Sequence, residues 1–440
     1  MKRDHGGLSA RIDASVNVNP LGPPAVLDDA FARARELSSR YPEIDVFSAR
    51  QAWAKRLGVA AECLLIGNGA SELISLVIRI MLPKRIIVFD PCYSEYEAAA
   101  QAVGVPVVHI PLELHRSARP MLPDVQPMPP TRLPAPHTLP ITQPIPPDTP
   151  PVLPTTAPMS PDTPLVSLGT WSTPLGTLEV GPGDLVVICQ PNNPTGHLTD
   201  PTAITALAER GADVLVDESF LALTSVHATC SLVGCVSHAG GQGGPGEPGK
   251  QHKKPGGRLS VVTSLTKTYC VPGLRLGLLA ADPGLISRIS GIRDPWSVNA
   301  IAAEAATVLA SGCGDYLERS RRLLAAERTH LTSAIAALRG VRVTASEGPF
   351  LLAELPEGLV AAELRDRLLT RGVGVRDAST FAGLSERWLR IGIRSPAEND
   401  AIIAAITAEF APEPLVAPIA LKPAAEPAVV PTVAEPAGEP

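Results

Sequence analysis

The sequence predicts an α/β protein, with a mostly parallel sheet in a large domain and a smaller α+β domain after it. The first observation is a series of short apolar runs that precede helical patterns: "CLLIGNG" comes before "SELISLVIRIML", and "RIIVFDP" before "SEYEAAAQAVG". Continuous apolar runs between helices are typical of parallel strands buried on both faces. The second observation is a change near residue 300, where long helical patterns lead into the short strands "VRVTAS", "PFLLAEL" and "RWLRIGIR".

Five more apolar runs supply the remaining strands of the large sheet. They are "VPVVHIPL", "DLVVICQP", "DVLVDES", "LSVVTSL" and "LRLGLLAA". Each is about the length of one strand. The chain therefore carries enough strands for one large sheet, with helices between most of them.

Three segments interrupt this pattern by their composition. Residues 114–165 and the tail 412–440 are rich in proline, which lacks a backbone donor and restricts the residue before it, so we expect extended, solvated chain. Residues 239–258 are rich in glycine and predict a flexible loop. The sequence therefore predicts four parts: an N-terminal arm (1–25), a large domain (26–290, with both inserts), a small domain (291–411) and the tail (412–440).

Charge and cysteine content exclude several classes of protein. The 38 basic and 44 acidic side chains give a net charge of −6, which does not favour nucleic acid or an anionic membrane as a partner. The longest apolar stretch, "ELISLVIRIML", contains Arg79 and is too short to span a bilayer, and the first residues lack the apolar core of a secretory signal. Seven cysteines without a C-x-x-C pair suit a reducing compartment. We expect a soluble, cytoplasmic protein.

Several polar or aromatic residues follow the predicted strands at the edge where α/β sheets bind ligands. After "CLLI", a glycine turn leads to Ala70 and Ser71 at the start of a helix, where backbone N–H groups can bind phosphate. Such turns are also common without a ligand. Tyr93 follows "RIIVFDP" and can stack on a flat ligand or simply pack. Asn193 begins "NPTG", which by itself indicates only a turn.

The next strand ends carry charge. Asp217 closes "DVLV", where an acid can cap a helix, form a salt bridge or pair with a buried cation. Lys267 lies between two apolar runs, with Ser264 before it and Arg275 after it. Lysine is almost never fully buried unless it is paired or chemically engaged. The position of Lys267 therefore predicts either a charged partner or a chemical role.

Together, these motifs resemble the fold-type I pyridoxal-phosphate enzymes of the aspartate-aminotransferase superfamily. The resemblance rests on "QPNNPTG", "DES" and "SLTK" followed by "GLRLG", in that order, and runs from about residue 4 to residue 410 apart from the three biased segments. It implies a large domain that binds pyridoxal 5′-phosphate. We therefore expect a fold-type I transferase fold with this cofactor.

The resemblance also assigns roles to single residues. Lys267 would bind the cofactor covalently, and Asp217 would pair with its ring nitrogen. Asn193 would donate a hydrogen bond to the ring oxygen and Tyr93 would stack on the ring. The cofactor phosphate would be held by the N–H groups of Ala70 and Ser71, the hydroxyl of Ser264 and the guanidinium of Arg275. Tyr41 of "RYP" resembles a residue that reaches this phosphate from a second subunit, which implies a homodimer with shared sites.

Other stretches narrow the resemblance to the threonine-phosphate decarboxylases of cobalamin biosynthesis, with histidinol-phosphate aminotransferases as near relatives. These stretches are "DHGGLSARIDASVNVNPLGPP", "IRDPWSVNAIAAEA" and "VRDASTFAGLSERWLRIGIRSPAEN". The aminotransferases usually carry tyrosine three residues after the aspartate, where this chain has Phe220. That difference favours the decarboxylase.

The substrate implied is a small phosphorylated amino acid. Arg376 and Arg390 lie on separate predicted strands and can converge on a carboxylate or phosphate. His5 is assigned to the substrate phosphate by resemblance only. We expect conversion of O-phospho-L-threonine to (R)-1-amino-2-propanol O-2-phosphate. The alternatives are histidinol-phosphate transamination, phosphoserine decarboxylation and an inactive scaffold that presents the proline-rich segments.

Overall fold

The computed structural model describes residues 7–115, 170–236 and 257–410. His5, nearly all of the proline-rich and glycine-rich segments, and the tail lie outside the described residues. The sequence-based expectations for those parts stay predictions.

The large sheet has seven strands, in the order β2-β10-β9-β8-β7-β3-β4. Its strands are β2 (Leu64–Gly67), β3 (Arg85–Asp90), β4 (Val107–Pro111), β7 (Asp184–Cys189), β8 (Asp213–Asp217), β9 (Leu259–Ser264) and β10 (Gly277–Ala280). Strand β10 runs antiparallel to β2 and β9, whereas the other neighbouring pairs are parallel. The predicted mostly parallel sheet is therefore confirmed. The run "LRLGLLAA" is strand only from Gly277, because Arg275 has a φ of 59° and turns the chain before it.

Both faces of this sheet are buried, which explains the continuous apolar runs. On β8, Val214 and Val216 belong to one apolar cluster and Leu215 to the cluster on the opposite face. On β9, Val261 and Val262 divide in the same way. Successive side chains of a strand point to opposite faces, so a strand covered on both sides must be apolar at every position.

The helices cover these faces and build much of the second domain. They are α1 (Asp28–Ala32), α2 (Ala34–Leu37), α3 (Phe47–Leu57), α4 (Ala70–Met81), α5 (Glu95–Gln101), α6 (Pro201–Glu209), α7 (His227–Cys230), α8 (Leu265–Thr268), α9 (Pro283–Ser290), α10 (Ala300–Ser311), α11 (Tyr316–Ala336), α12 (Ala361–Thr370) and α13 (Pro396–Phe410). Asp200 and Asp282 cap α6 and α9 by accepting hydrogen bonds from backbone N–H groups of the first turn, and a proline begins each helix. Both features fix a helix start.

A four-stranded antiparallel sheet lies in the C-terminal part, in the order β11-β12-β15-β14. Its strands are β11 (Arg342–Val343), β12 (Phe350–Glu354), β14 (Arg376–Asp377) and β15 (Trp388–Gly392). The two-stranded pairs elsewhere are β1 (Ile12–Asp13) with β13 (Val373–Gly374), and β5 (Glu113–His115) with β6 (Thr170–Ser172). Ile12 and Ala14 pack in the apolar cluster of this smaller domain. The N-terminal segment is thereby held against it.

The boundary near residue 291 stays a prediction. Helix α10 lies beyond it, yet packs on α3 of the large domain, where the Trp53 indole donates a hydrogen bond to the Ala306 carbonyl at 2.8 Å. Ala302, Ala305 and Leu309 are fully buried in the same apolar cluster. No helix among the described residues has the length and apolar character needed to cross a membrane.

Candidate active site

A cavity of about 400 Å³ opens at the carboxyl edge of the large sheet, beside the smaller domain. Its size falls in the range of small-molecule sites. Ten residues singled out from the sequence line it together: Ala70, Ser71, Tyr93, Asn193, Asp217, Ser264, Lys267, Arg275, Arg376 and Arg390. Their individual roles stay predictions, but the structure brings them to one place.

One end of the cavity is built to hold an anion. Gly69 precedes α4 with a φ of +85°, so the first backbone N–H groups of the helix, on Ala70 and Ser71, border the cavity. A Cβ on Gly69 would lie 2.7 Å from Nη2 of Arg275. A Cβ on Gly277 would lie 2.7 Å from the Ala70 nitrogen. Two glycines therefore keep a cradle open between a helix N-terminus and a guanidinium, which suits a phosphate.

Lys267 stands on the short helix α8, directly after β9. The Thr266 hydroxyl donates to the Leu276 carbonyl at 3.1 Å, and the Thr268 hydroxyl donates to the Ser264 carbonyl at 3.0 Å, so both neighbours are fixed. Burial, together with the positive charges of Arg390 and Arg275, lowers the pKa of Lys267 to about 8. A lysine with this pKa supplies neutral amine near neutral pH and is a competent nucleophile.

Asp217 ends β8 and is 4% exposed. Its Oδ1 accepts hydrogen bonds from the backbone N–H and the hydroxyl of Ser219, and its Oδ2 accepts one from the Tyr96 hydroxyl at 2.7 Å. Burial raises the pKa of Asp217, whereas the bonds from Ser219 and Tyr96 lower it. A buried carboxylate at the cavity wall is suited to a cationic N–H group, such as a protonated ring nitrogen.

Arg376 and Arg390 also line the cavity, and they stand directly across from each other on β14 and β15. Arg390 donates from Nη1 to Oδ1 of Asn193 at 2.6 Å and from Nη2 to the Ser15 carbonyl at 2.7 Å. The Phe381 ring lies under both guanidinium groups, 5.5 Å from Cζ of Arg376 and 5.8 Å from Cζ of Arg390. The two guanidinium groups therefore lie close to one another at the cavity, and their predicted convergence on a carboxylate or phosphate stays a prediction.

Aromatic side chains complete the walls. The Tyr93 hydroxyl lies 3.2 Å from Oγ of Ser71, and its ring meets the edge of Tyr96. Phe220 is buried and packs edge-on against Phe350, with ring centroids 5.3 Å apart. Phe220 contributes only apolar surface, because its ring has no hydrogen-bonding group.

One predicted site residue lies away from the cavity, and another falls outside the described residues. Tyr41 is 81% exposed and contacts Trp296, with ring centroids 4.9 Å apart, outside the cavity of this chain. His5 lies outside the described residues. The role of Tyr41 in a neighbouring subunit and the role of His5 stay predictions.

Sequence reasoning missed other lining residues, including Asn17, Ser219 and Phe381. Ser219 lies within "DES" and, two residues after Asp217, has the spacing of an Asx turn, a signal that was available. Phe381 follows Arg376 closely in "RDASTF", but nothing in that text indicates that its ring would lie under two guanidinium groups.

The residues present fit pyridoxal phosphate: a cradle for an anion, an amine with a lowered pKa and a buried carboxylate surround one cavity. The chain matches the family model "Aminotransferase class I and II" over residues 11–125 and 176–406. It belongs to this family and is a pyridoxal-phosphate-dependent enzyme of the fold-type I class. The fold and the cofactor expected from the sequence are thereby confirmed.

Individual relatives represent two activities. The chain is 27% identical over 402 residues to threonine-phosphate decarboxylase of Salmonella typhimurium, covering 90% of each chain. It is 28% identical over 421 residues to histidinol-phosphate aminotransferase 2 of Ralstonia nicotianae, covering 93% of this chain and 91% of the relative. The structure of L-threonine-O-3-phosphate decarboxylase from Porphyromonas gingivalis has a similar fold, with a TM-score of 0.66 at 23% identity over 90% of this chain and 99% of that one.

The lowered pKa of Lys267 predicts how the apoprotein takes up its cofactor. At pH 7, roughly a tenth of an amine with a pKa near 8 is neutral, against about one part in 2,500 for an ordinary lysine. The rate of covalent uptake, followed by absorbance in a stopped-flow instrument, should rise with pH to a plateau with a midpoint near 8. Arg390→Gln removes one of the positive charges and should move the midpoint upward. A midpoint above 10 in the wild type would contradict this account.

The glycine cradle predicts a specific loss of cofactor affinity. Gly69→Ala should weaken pyridoxal-phosphate binding at least about tenfold, because the new Cβ meets Arg275, where we predict that the phosphate binds. Gly104→Ala is the control, since Gly104 also has a positive φ (+73°) but no atom within 4 Å of the added Cβ. Both variants should lose roughly 1–3 kcal/mol of stability from backbone strain. Equal cofactor affinity in the two variants, measured by equilibrium dialysis, would refute the proposed cradle.

Proposed function

We propose that the protein decarboxylates O-phospho-L-threonine to (R)-1-amino-2-propanol O-2-phosphate, a precursor of the cobalamin nucleotide loop. The observation that carries the proposal is the pair Arg376 and Arg390, which line the same cavity as the anion cradle. The similarity to threonine-phosphate decarboxylases over about nine-tenths of the chain supports it. We also propose that the reaction takes place in the cytoplasm, which agrees with the absence of disulfides among the seven cysteines.

The charges of the cavity match an amino-acid phosphate. Lys267, Arg275, Arg376 and Arg390 all line it, and the cofactor phosphate accounts for the cradle beside Arg275. Two arginines then remain for the substrate. O-phospho-L-threonine carries two anionic groups, a carboxylate and a phosphate, and guanidinium groups bind both kinds of anion in a forked geometry. Histidinol phosphate carries only the phosphate, whereas its co-substrate 2-oxoglutarate carries two carboxylates, so the assay below has to separate the two reactions.

The protein groups have separate tasks in this reaction. When bound, pyridoxal phosphate supplies an electron sink for the negative charge that develops at the substrate Cα. Asp217 would hold a proton at the ring nitrogen, and Asn193 would donate a hydrogen bond to the ring oxygen. Arg390, which donates to Asn193, would position the substrate beside the ring. Phe220 provides an apolar wall. Lys267, in its protonated ammonium form, would return a proton to Cα after CO2 has left.

Substrate and reaction can be tested together on the purified, cofactor-loaded protein. With O-phospho-L-threonine we expect release of CO2 and formation of the amino alcohol phosphate, and Lys267→Ala should abolish both, because the amine and its proton transfer are lost. Arg376→Gln and Arg390→Gln should each lower kcat/KM at least about a hundredfold, since each leaves one substrate anion unpaired. The kcat/KM for phosphoserine should be lower by a factor of roughly 10–200, because phosphoserine lacks one methyl group that the pocket can contact.

A parallel reaction distinguishes the alternatives. Histidinol phosphate with 2-oxoglutarate is followed for glutamate in the same preparation. Glutamate without CO2 would assign an aminotransferase instead. No turnover of any of these substrates by protein that binds the cofactor would favour the scaffold.

We further propose a homodimer with shared active sites. The segment 41–47 exposes Tyr41, Ile44 and Phe47, and it contacts the segment 292–296, which exposes Ile292 and Trp296. Each of these side chains is at least 43% exposed. A continuous apolar surface of this kind usually marks a protein interface. It includes the tyrosine that, by resemblance, reaches the cofactor phosphate of a second subunit.

A charge placed in this surface should separate the subunits. Ile44→Asp should convert the dimer to a monomer in sedimentation analysis and weaken cofactor binding, because burying an unpaired carboxylate is costly. Leu82→Asp is the control, since Leu82 is also exposed (61%) but lies at the end of α4. A wild-type protein that sediments as a monomer would refute the proposal.

A further inference from the structure

The two oxygens of the Asp217 carboxylate are held in different ways. Oδ1 accepts hydrogen bonds from the backbone N–H and the hydroxyl of Ser219. This is a local turn contact, because aspartate side chains commonly bond to the backbone two residues later in the chain. Oδ2 accepts from the Tyr96 hydroxyl at 2.7 Å, and Tyr96 comes from α5, 121 positions earlier. Among the described residues, Tyr96 is the donor that reaches this carboxylate from another element.

Tyr96 is fixed in its place. Its side chain is 1% exposed and belongs to the same apolar cluster as Leu73 and Ile74 of α4. Its ring meets that of Tyr93 edge to face, with centroids 5.6 Å apart. Burial raises the pKa of Tyr96 well above its usual value, so the phenol remains protonated and can act as a donor to the carboxylate. The hydroxyl therefore has both a fixed position and a fixed proton.

The hydrogen bond from Tyr96 offsets part of the cost of burying the Asp217 carboxylate. A carboxylate that is 4% exposed has lost most of its water, and burial favours its neutral form. A neutral acid would neither attract nor retain a proton on a facing ring nitrogen. Hydrogen bonds donated to the carboxylate stabilise its ionised form. Such bonds are stronger than those between two neutral groups.

We propose that Tyr96 is a positioning residue for Asp217, whose hydroxyl fixes the orientation of the carboxylate and stabilises its charged form toward the ring nitrogen of bound pyridoxal phosphate. The inference rests on the proposed role of Asp217 and is independent of which substrate reacts. The titratable groups around the carboxylate are Tyr93 and Tyr96 from the β3–α5 connection and α5, Cys189 at the end of β7, and Glu218, which follows Asp217.

In a pH experiment, the titration of Glu218 and Cys189 must be distinguished from that of Asp217. Burial raises the pKa of Glu218 to about 7, within the working range, but its carboxylate accepts from Ser231 and Leu232 rather than facing Tyr96. Burial raises the pKa of Cys189 far above neutrality, so this thiol stays uncharged. A change produced by removal of the Tyr96 hydroxyl, and absent when Asp217 is replaced, can then be assigned to Asp217.

The test compares Tyr96→Phe, Asp217→Asn, the double variant and Tyr316→Phe as holoenzymes. The readouts are the dissociation constant of pyridoxal phosphate and the visible absorption band of the bound cofactor against pH. Tyr96→Phe should weaken binding about tenfold, because one bond to the charged carboxylate is lost. It should also move the acid limb of the absorption profile upward by about one pH unit, because the carboxylate then takes up a proton at higher pH. In the Asp217→Asn background it should change neither readout.

Tyr316→Phe is the matched control. Tyr316 is 3% exposed and donates its hydroxyl to the Gly22 carbonyl at 2.6 Å, so its variant also loses one buried phenol hydrogen bond, but away from Asp217. It should lower thermal stability and leave both cofactor readouts unchanged. If Asp217→Asn impairs cofactor binding and Tyr96→Phe behaves like Tyr316→Phe, the inference about Tyr96 is wrong and the role of Asp217 stands. If Asp217→Asn changes nothing, both fail, whatever substrate the enzyme uses.

Discussion

The excess of positive charge around one cavity is the constraint on which the rest of the site depends. Lys267, Arg275, Arg376 and Arg390 line it, whereas Asp217 and Glu95 are its acidic residues. Burial is the largest cause of the lowered pKa of Lys267, and the positive charges of Arg390 and Arg275 lower it further. Such a cavity is stabilised by anions. A cofactor phosphate and a doubly anionic substrate would supply them, which links the proposed substrate to the same electrostatics that activate the lysine.

The antiparallel strand β10 brings Lys267 and Arg275, two of the four positively charged residues, to the cavity. Chain reversal between β9 and β10 places Ser264, Lys267 and Arg275 at the same edge of the sheet within twelve residues. The register sets Gly277 opposite both Ser264 of β9 and Gly67 of β2. The start of α4 therefore comes close enough to share an anion with Arg275. The smaller domain supplies the other half, because β14 and β15 place Arg376 and Arg390 side by side.

The sequence predicted the site well where chemistry coincides with a strand end. Asp217, Asn193 and Lys267 each interrupt or follow an apolar run, so their position in the fold could be predicted from local pattern alone. The direction of β10 could not, because an apolar run has the same pattern in either orientation. Tyr96 shows a second limit. In "SEYEAAAQAVG" it occupies an apolar helix position and fits the core, and only the three-dimensional approach of α5 to β8 reveals its bond to Asp217.

The central claim is that this cavity binds pyridoxal phosphate through Lys267. Borohydride reduction of the cofactor-loaded protein, followed by peptide mass spectrometry, tests it directly, because reduction makes the covalent attachment permanent. The account predicts one phosphopyridoxyl group per chain, on the peptide that contains Lys267. Attachment to a different lysine, or no attachment in protein that retains its fold, would contradict it.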